Sequence, residues 1–120
     1  MPGVQTLLPL LLDHVAKGRT TLARLIDLTS AGPQRVFGLV GKGRIAAGYD
    51  ADFTVVDLKK QWTVEESWLA SRCGWSPFTG DQLTGKPIGT IIRGRKVMWE
   101  GQLANAAHGR PVRFEAVEFG

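Results

Sequence analysis

Apolar residues crowd the start of the chain at helical spacing. Leu7, Leu8, Leu10, Leu11, Leu12 and Val15 cover most of a helical circumference. Thr6 can cap this helix, with Pro9 in its first turn, where a missing N–H costs little. Lys17 suits its negative end, and Gly18 its stop. A helix apolar on nearly every side is buried on several sides. In a small domain that is a surplus, so a further covering element is expected. Thr20 or Thr21 caps a second helix with Leu22, Leu25, Ile26 and Thr29 on one face. "SAGPQRVFGL" then breaks and restarts the chain. Pro33 suits a first helical turn, and Val36 and Phe37 are expected to pack before Gly38 ends the segment. The three elements predict a helical layer.

The pattern changes near residue 42. In "KGRIAAGYDADFTVVDL", Gly43 and Gly48 permit tight turns before a strand. Ala51, Phe53 and Val55 point one way from that strand, and Thr54, Val56 and Leu58 the other. Apolar groups on both faces predict a sandwiched strand. Thr63 and Glu66 read as a capping box for a short helix through about Ser71, with Val64 and Trp68 on one of its faces. "CGWSPFTGDQLTGKP" reads as a long turn-rich loop. "IGTIIRGRKVMWEG" reads as a hairpin turning at Arg93-Gly94 or Gly94-Arg95. A short apolar alternation follows at Val112 to Phe114. The expected class is α+β, with residues 1–41 helical and residues 42–120 β-rich, carrying one short helix and a hairpin.

The totals exclude several function classes. The net charge of +4 comes from basic residues scattered along the chain, the densest group being Arg93, Arg95 and Lys96. A nucleic-acid face needs a denser stripe with stacking partners, so no nucleic-acid partner is expected. "TLLPLLL" is far shorter than the roughly 20 residues of a membrane span, and it lacks the flanks of a signal peptide. No membrane partner is expected. The single cysteine, Cys73, points to a reducing, cytoplasmic setting.

Catalytic parts are scarce. His14 and His108 stand far apart, and no His-x-His, Cys-x-x-Cys or His-Glu-x-x-His is present. His14 reads as a surface or packing residue and His108 as solvated. Cys73 falls just after the expected short helix, where the dipole opposes a thiolate. "GKGR" at 41–44 precedes a strand rather than a helix and lacks the phosphate-loop pattern. Asp52 and Asp57 read as caps of turn N–H groups at the strand ends. Trp62, Trp68, Trp75 and Phe78 read as core or interface residues. No catalytic residue and no metal ligand is therefore assigned.

Five stretches, "GVQTLLPLLLDHV", "LIDLTSAGPQRVFGL", "GKGRIAAGYDADFTVVDL", "SRCGWSPFTG" and "GTIIRGRKVMWEGQL", occur in an order and spacing that resemble the C-terminal end of a dihydroorotase-like cyclic amidohydrolase. The Gly-Arg-Ile…Gly-Tyr-Asp-Ala-Asp stretch is shared across amidohydrolases, including hydantoinases, allantoinases and deacetylases. Ser-Pro-Phe-x-Gly and Cys-Gly-Trp narrow the likeness toward dihydroorotase and allantoinase. The resemblance implies that residues 1–41 are terminal helices of a (β/α)8 barrel. Residues 42–120 would then be part of a small composite β-sandwich domain. It also implies a zinc-dependent parent that acts on a cyclic amide, dihydroorotate or N-carbamoyl-aspartate, in pyrimidine biosynthesis. The family's metal ligands are a His-x-His, a carboxylated lysine, two further histidines and an aspartate, all expected before Met1. Of the substrate loop only a remnant at Pro2 and Gly3 is expected. The implied partner is the missing N-terminal barrel portion, with self-association through the exposed apolar helix. The alternatives are a stand-alone assembly or binding module derived from that domain, and a fragment of an allantoinase or hydantoinase.

Overall fold

The computed structural model describes residues 3–104 and 109–115. Helix α1 spans Val4–Ala16, α2 spans Leu22–Ile26, and α3 spans Gly32–Phe37. Strands β1 (Phe53–Thr63), β2 (Gln82–Ile92), β3 (Arg95–Trp99) and β4 (Gln102–Leu103) form one antiparallel sheet in that order. The fold is α+β, as the change of pattern near residue 42 indicates.

Helix α1 begins earlier than its cap signals predict. Gly3 is the N-cap, and its carbonyl accepts both the Leu7 N–H (3.1 Å) and the Thr6 hydroxyl (3.3 Å). Thr6 is therefore an interior residue, and Pro9 lies inside the helix rather than in its first turn. The ring costs one helical bond but is itself fully buried. Thr6, Pro9, Leu12 and Asp13 form the buried face, whereas Val4 and Leu7 stay exposed. The apolar surplus noted in the sequence is thus left largely on the surface.

Thr21 caps α2 by accepting the Arg24 N–H at 3.1 Å. Only Leu25 of the expected face is buried. The chain does not break at "SAGP": a π-helical turn over Asp27–Ala31 carries α2 directly into α3. Asp27 steadies that turn through ion pairs to Arg24 (3.1 Å) and Arg35 (2.8 Å). Val36 and Phe37 do not pack; they are 77% and 66% exposed. Gly38 ends α3 in the left-handed conformation, as expected.

Strand β1 continues past Leu58 to Thr63, and Leu58 and Thr54 are exposed. Neither face is sandwiched. Thr63 is the last residue of β1, so it caps no helix. The chain then makes a single 3-10 turn, Glu66–Trp68, with Val64 buried ahead of it. The end of the expected loop is strand: β2 begins at Gln82. Its hairpin to β3 turns at Arg93-Gly94, where both residues have positive φ (47° and 76°). Near the end of the described chain, Phe114 forms a bridge with Leu39.

The helices meet the sheet at one seam. β3 pairs only with residues 89–92 of β2. Alongside the rest of β2 lies α1, whose Asp13 carboxylate accepts the Thr84 N–H at 2.9 Å. One residue on, Gly85 adopts φ +97°, and a Cβ there would stand 2.9 Å from the Leu12 Cβ. Opposite, Asp57 pairs with Lys86 and Gln61 with Thr84, so Leu58, Lys59 and Lys60 of β1 bulge around Gly85 alone.

Gly85→Ala is expected to lower stability by roughly 2–4 kcal/mol, from backbone strain and the clash with Leu12 combined. Gly80→Ala, at a similar φ of +92° but with open space around it, is expected to cost only about 1–2 kcal/mol of strain. Urea unfolding of both variants measures the difference, which isolates the helix–sheet contact.

Candidate functional site

The residues singled out in the sequence do not converge. Pro2 and His108 lie outside the described residues. Gly3 sits exposed at the N-cap of α1 and is occupied in capping that helix. His14 Nδ1 lies 3.0 Å from Arg19 Nη1 on the helix surface. Cys73 is exposed, and no helix ends beside it, so no dipole opposes its thiolate. Instead the Ser71 hydroxyl, 3.3 Å away, holds the thiol below its ordinary pKa. Among the described residues no group of three or more His, Cys, Asp and Glu is placed to hold a metal ion. The zinc of the implied parent therefore finds no donor set among them.

Asp52 and Asp57 both accept backbone N–H groups, but only Asp52 does so at a strand end; Asp57 lies inside β1. Asp57 accepts the Lys59 N–H (3.0 Å) inside the β1 bulge. Asp52 accepts the Arg93 N–H (2.8 Å) and thereby braces the left-handed Arg93-Gly94 turn. Lys42 joins Asp52 at 2.5 Å and Asp50 at 2.9 Å. These contacts tie the 41–52 loop to the hairpin. The hydrogen bonds that Lys42 donates to Asp52 and Asp50 hold its pKa above the ordinary value. Burial alone would raise the Asp52 pKa, but Lys42 and the Arg93 N–H outweigh it and hold the carboxyl below its usual range. The glycine-containing stretch from Lys42 to Asp52 is thus a clasp that fixes the entry to β1.

One feature has the dimensions of a binding surface. An open groove of about 990 Å³ runs between the N-terminal half of α1, the loop after Trp68 and one face of the sheet. The loop is held to the helix by Gln5, whose amide donates to the Trp68 carbonyl (2.7 Å) and accepts the Ala70 N–H (2.9 Å). The floor is a single cross-strand row: Thr54 opposes Thr90, Thr90 opposes Met98, and Met98 opposes Leu103. All four line the groove, with Val4, Leu8 and Pro9 from α1 as one wall. On the opposite face Trp99 lies over Gly89, where a Cβ would meet its ring at 2.5 Å.

Lys86 is the one charged side chain among the residues that line the groove. Its ammonium lies 4.6 Å from the centre of the Trp62 ring. Trp62 is in turn fixed by an edge contact with Trp68 (4.9 Å, 64°) and by donating to the Gly85 carbonyl at 2.9 Å. Burial holds the Lys86 pKa below the ordinary lysine value; the Lys60 charge adds to this and Glu65 opposes it. Sequence reasoning misses this wall because residues 82–87 read as a loop. The alternation of Leu83, Gly85 and Pro87 with Thr84, Lys86 and Ile88 is the available signal, masked by Gly85 and Pro87.

Burial would also raise the pKa of Asp13, but the Lys17 ammonium (2.7 Å) and the Thr84 N–H outweigh it, so the carboxyl lies below its usual range. A carboxyl with a depressed folded-state pKa contributes stability above about pH 4, and that contribution is lost as pH falls through the folded value. Thermal unfolding between pH 7 and pH 2 is therefore expected to show an acid-side loss that Asp13→Asn reduces. At pH 7, Asp13→Ala is expected to cost about 1–3 kcal/mol, because the Thr84 N–H loses its acceptor.

The comparisons with known proteins agree among themselves. Residues 4–97 match the model of the Amidohydrolase family. A dihydroorotase of Pyrococcus furiosus is 41% identical over 112 residues, 93% of this chain and 27% of that protein. One of Methanothermobacter thermautotrophicus is 44% identical over 103 residues, 86% of this chain and 24% of that protein. Among solved structures, an L-hydantoinase (dihydropyrimidinase) from Arthrobacter aurescens superposes with a TM-score of 0.77 at 36% identity, over 81% of this chain and 22% of that one. A D-hydantoinase (dihydropyrimidinase) from Thermus sp. gives 0.77 at 28% identity, over 87% and 23%. The chain spans about a quarter of the length of the curated relatives it matches.

Proposed function

The chain belongs to the amidohydrolase family, and from that membership we propose that it is the C-terminal segment of a dihydroorotase-like, metal-dependent hydrolase acting on cyclic amides. In this reading residues 1–41 are the last helices of the parent's (β/α)8 barrel, and residues 42–120 are part of its small β-rich domain. The parent would work in the cytoplasm on dihydroorotate or N-carbamoyl-aspartate, with zinc held by the barrel portion. The observation that carries the substrate class is the higher identity to dihydroorotases than to the hydantoinases of known structure. The exposed apolar surface supports the incomplete-half reading. Leu7, Ile26, Leu28, Val36 and Phe37 are each between 49% and 77% exposed, and each forfeits up to about 1.5–3 kcal/mol of burial. Alone, the chain would meet that cost by self-association.

Purified chain is expected to show no hydrolysis of dihydroorotate at any zinc concentration and to elute as a polydisperse species in size exclusion. Adding the separately expressed N-terminal portion of the Pyrococcus furiosus dihydroorotase, which lacks the matched quarter, is expected to yield a discrete complex and turnover. Turnover by the chain alone would overturn the reading, as would failure of the two parts to associate.

A further inference from the structure

We propose that the polypeptide segment that covers the α1–sheet groove is apolar but for one Asp or Glu, whose carboxylate pairs with Lys86. The inference rests on the reading that the groove is closed by the portion of a longer parent outside these residues. It adds the chemistry of the partner at one position.

The lining of the groove sets the terms. Val4, Leu8, Pro9, Met98 and Leu103 present an apolar surface, and a segment that fills the groove removes water from it. Lys86 lines the same space; its ammonium lies over the Trp62 ring, and the acidic group whose charge reaches it is Glu65. The Trp62 ring satisfies one side of it only. The opposing strand residue Asp57 is engaged with the Lys59 N–H in the bulge. Already in the open groove, burial and Lys60 lower the Lys86 pKa against the opposing charge of Glu65. Covering the groove with a wholly apolar segment would deepen that desolvation and leave the cation with only the Glu65 charge, with which it forms no salt bridge, an arrangement that disfavours association. A carboxylate on the incoming segment removes the penalty. It also fixes the segment's register, because the groove floor offers no other charge.

The test uses this chain with the N-terminal portion of the Pyrococcus furiosus dihydroorotase. Carbodiimide, which joins only amines and carboxylates in direct contact, is applied to the complex, and the products are mapped by mass spectrometry. The expected product is an amide bond between Lys86 and an Asp or Glu of the added portion. Association is measured in parallel for Lys86→Met, whose folding is checked by the thermal midpoint of the free chain. With an acid opposite, Lys86→Met should weaken association about tenfold or more, since it strands a carboxylate, and Lys86→Arg should recover most of the loss. A complex in which Lys86 couples to nothing, or only to acids of this chain, overturns the inference while the proposed function stands. Tighter association of Lys86→Met does the same. If no complex forms, the proposed function fails and the inference falls with it.

Discussion

The contact between α1 and β2 is the constraint on which the rest of the structure depends. Two features meet there. Asp13 reaches from the helix to accept the Thr84 N–H, and Gly85, lacking a side chain, lets the Leu12 backbone approach the strand. Neither works alone. A side chain at 85 would lift the helix and break the carboxylate contact. Without the carboxylate, a strand N–H that β3 does not reach would lack its acceptor. The β1 bulge around Gly85 and the Trp62 indole on the Gly85 carbonyl build outward from the same point.

The groove is a consequence of this seam. Fixing α1 on β2 holds its N-terminal half beside the Thr54–Thr90–Met98–Leu103 row, and Gln5 then ties the loop after Trp68 to the helix. The helical layer is less constrained. Only Leu25 of α2 is buried, and α3 offers Val36 and Phe37 to solvent. The molecule is therefore well closed at one seam and open elsewhere. That distribution agrees with a chain a quarter as long as the relatives it matches.

Elements set by local rules are legible in the sequence. Thr21 caps α2, Gly38 ends α3, and Arg93-Gly94 is one of the two turns the pattern allows, each through contacts within its own segment; Asp52 also accepts a backbone N–H, though from Arg93 in the distant β2–β3 turn. The errors fall where distant contacts decide. Pro9 has the marks of a first-turn residue, but burial against the sheet compensates its lost bond inside the helix. Thr63 and Glu66 match a capping box, but pairing with Gln82 keeps Thr63 in β1. The turn-prone Gly85 and Pro87 suggest a loop, although Gly85 is in the strand because a helix must approach it. The groove is invisible in the sequence for the same reason: its floor is a row drawn from four strands, and one of them is only half recognisable. The apolar excess of the first helix is legible at once, and it is also the feature that the chain by itself leaves unsatisfied.

The central claim is that this polypeptide closes on one internal seam and leaves its remaining apolar surface for a missing portion of a longer parent. Native-state hydrogen exchange of the chain at low concentration tests it most directly. The account predicts that the Thr84 amide and the amides of the α1 turn around Leu12 and Asp13 exchange slowest, only through global unfolding. The amides of α2 and α3 should exchange much faster, through local opening. Equal, global-level protection across α1, α2, α3 and the sheet would show a self-contained fold and contradict the claim.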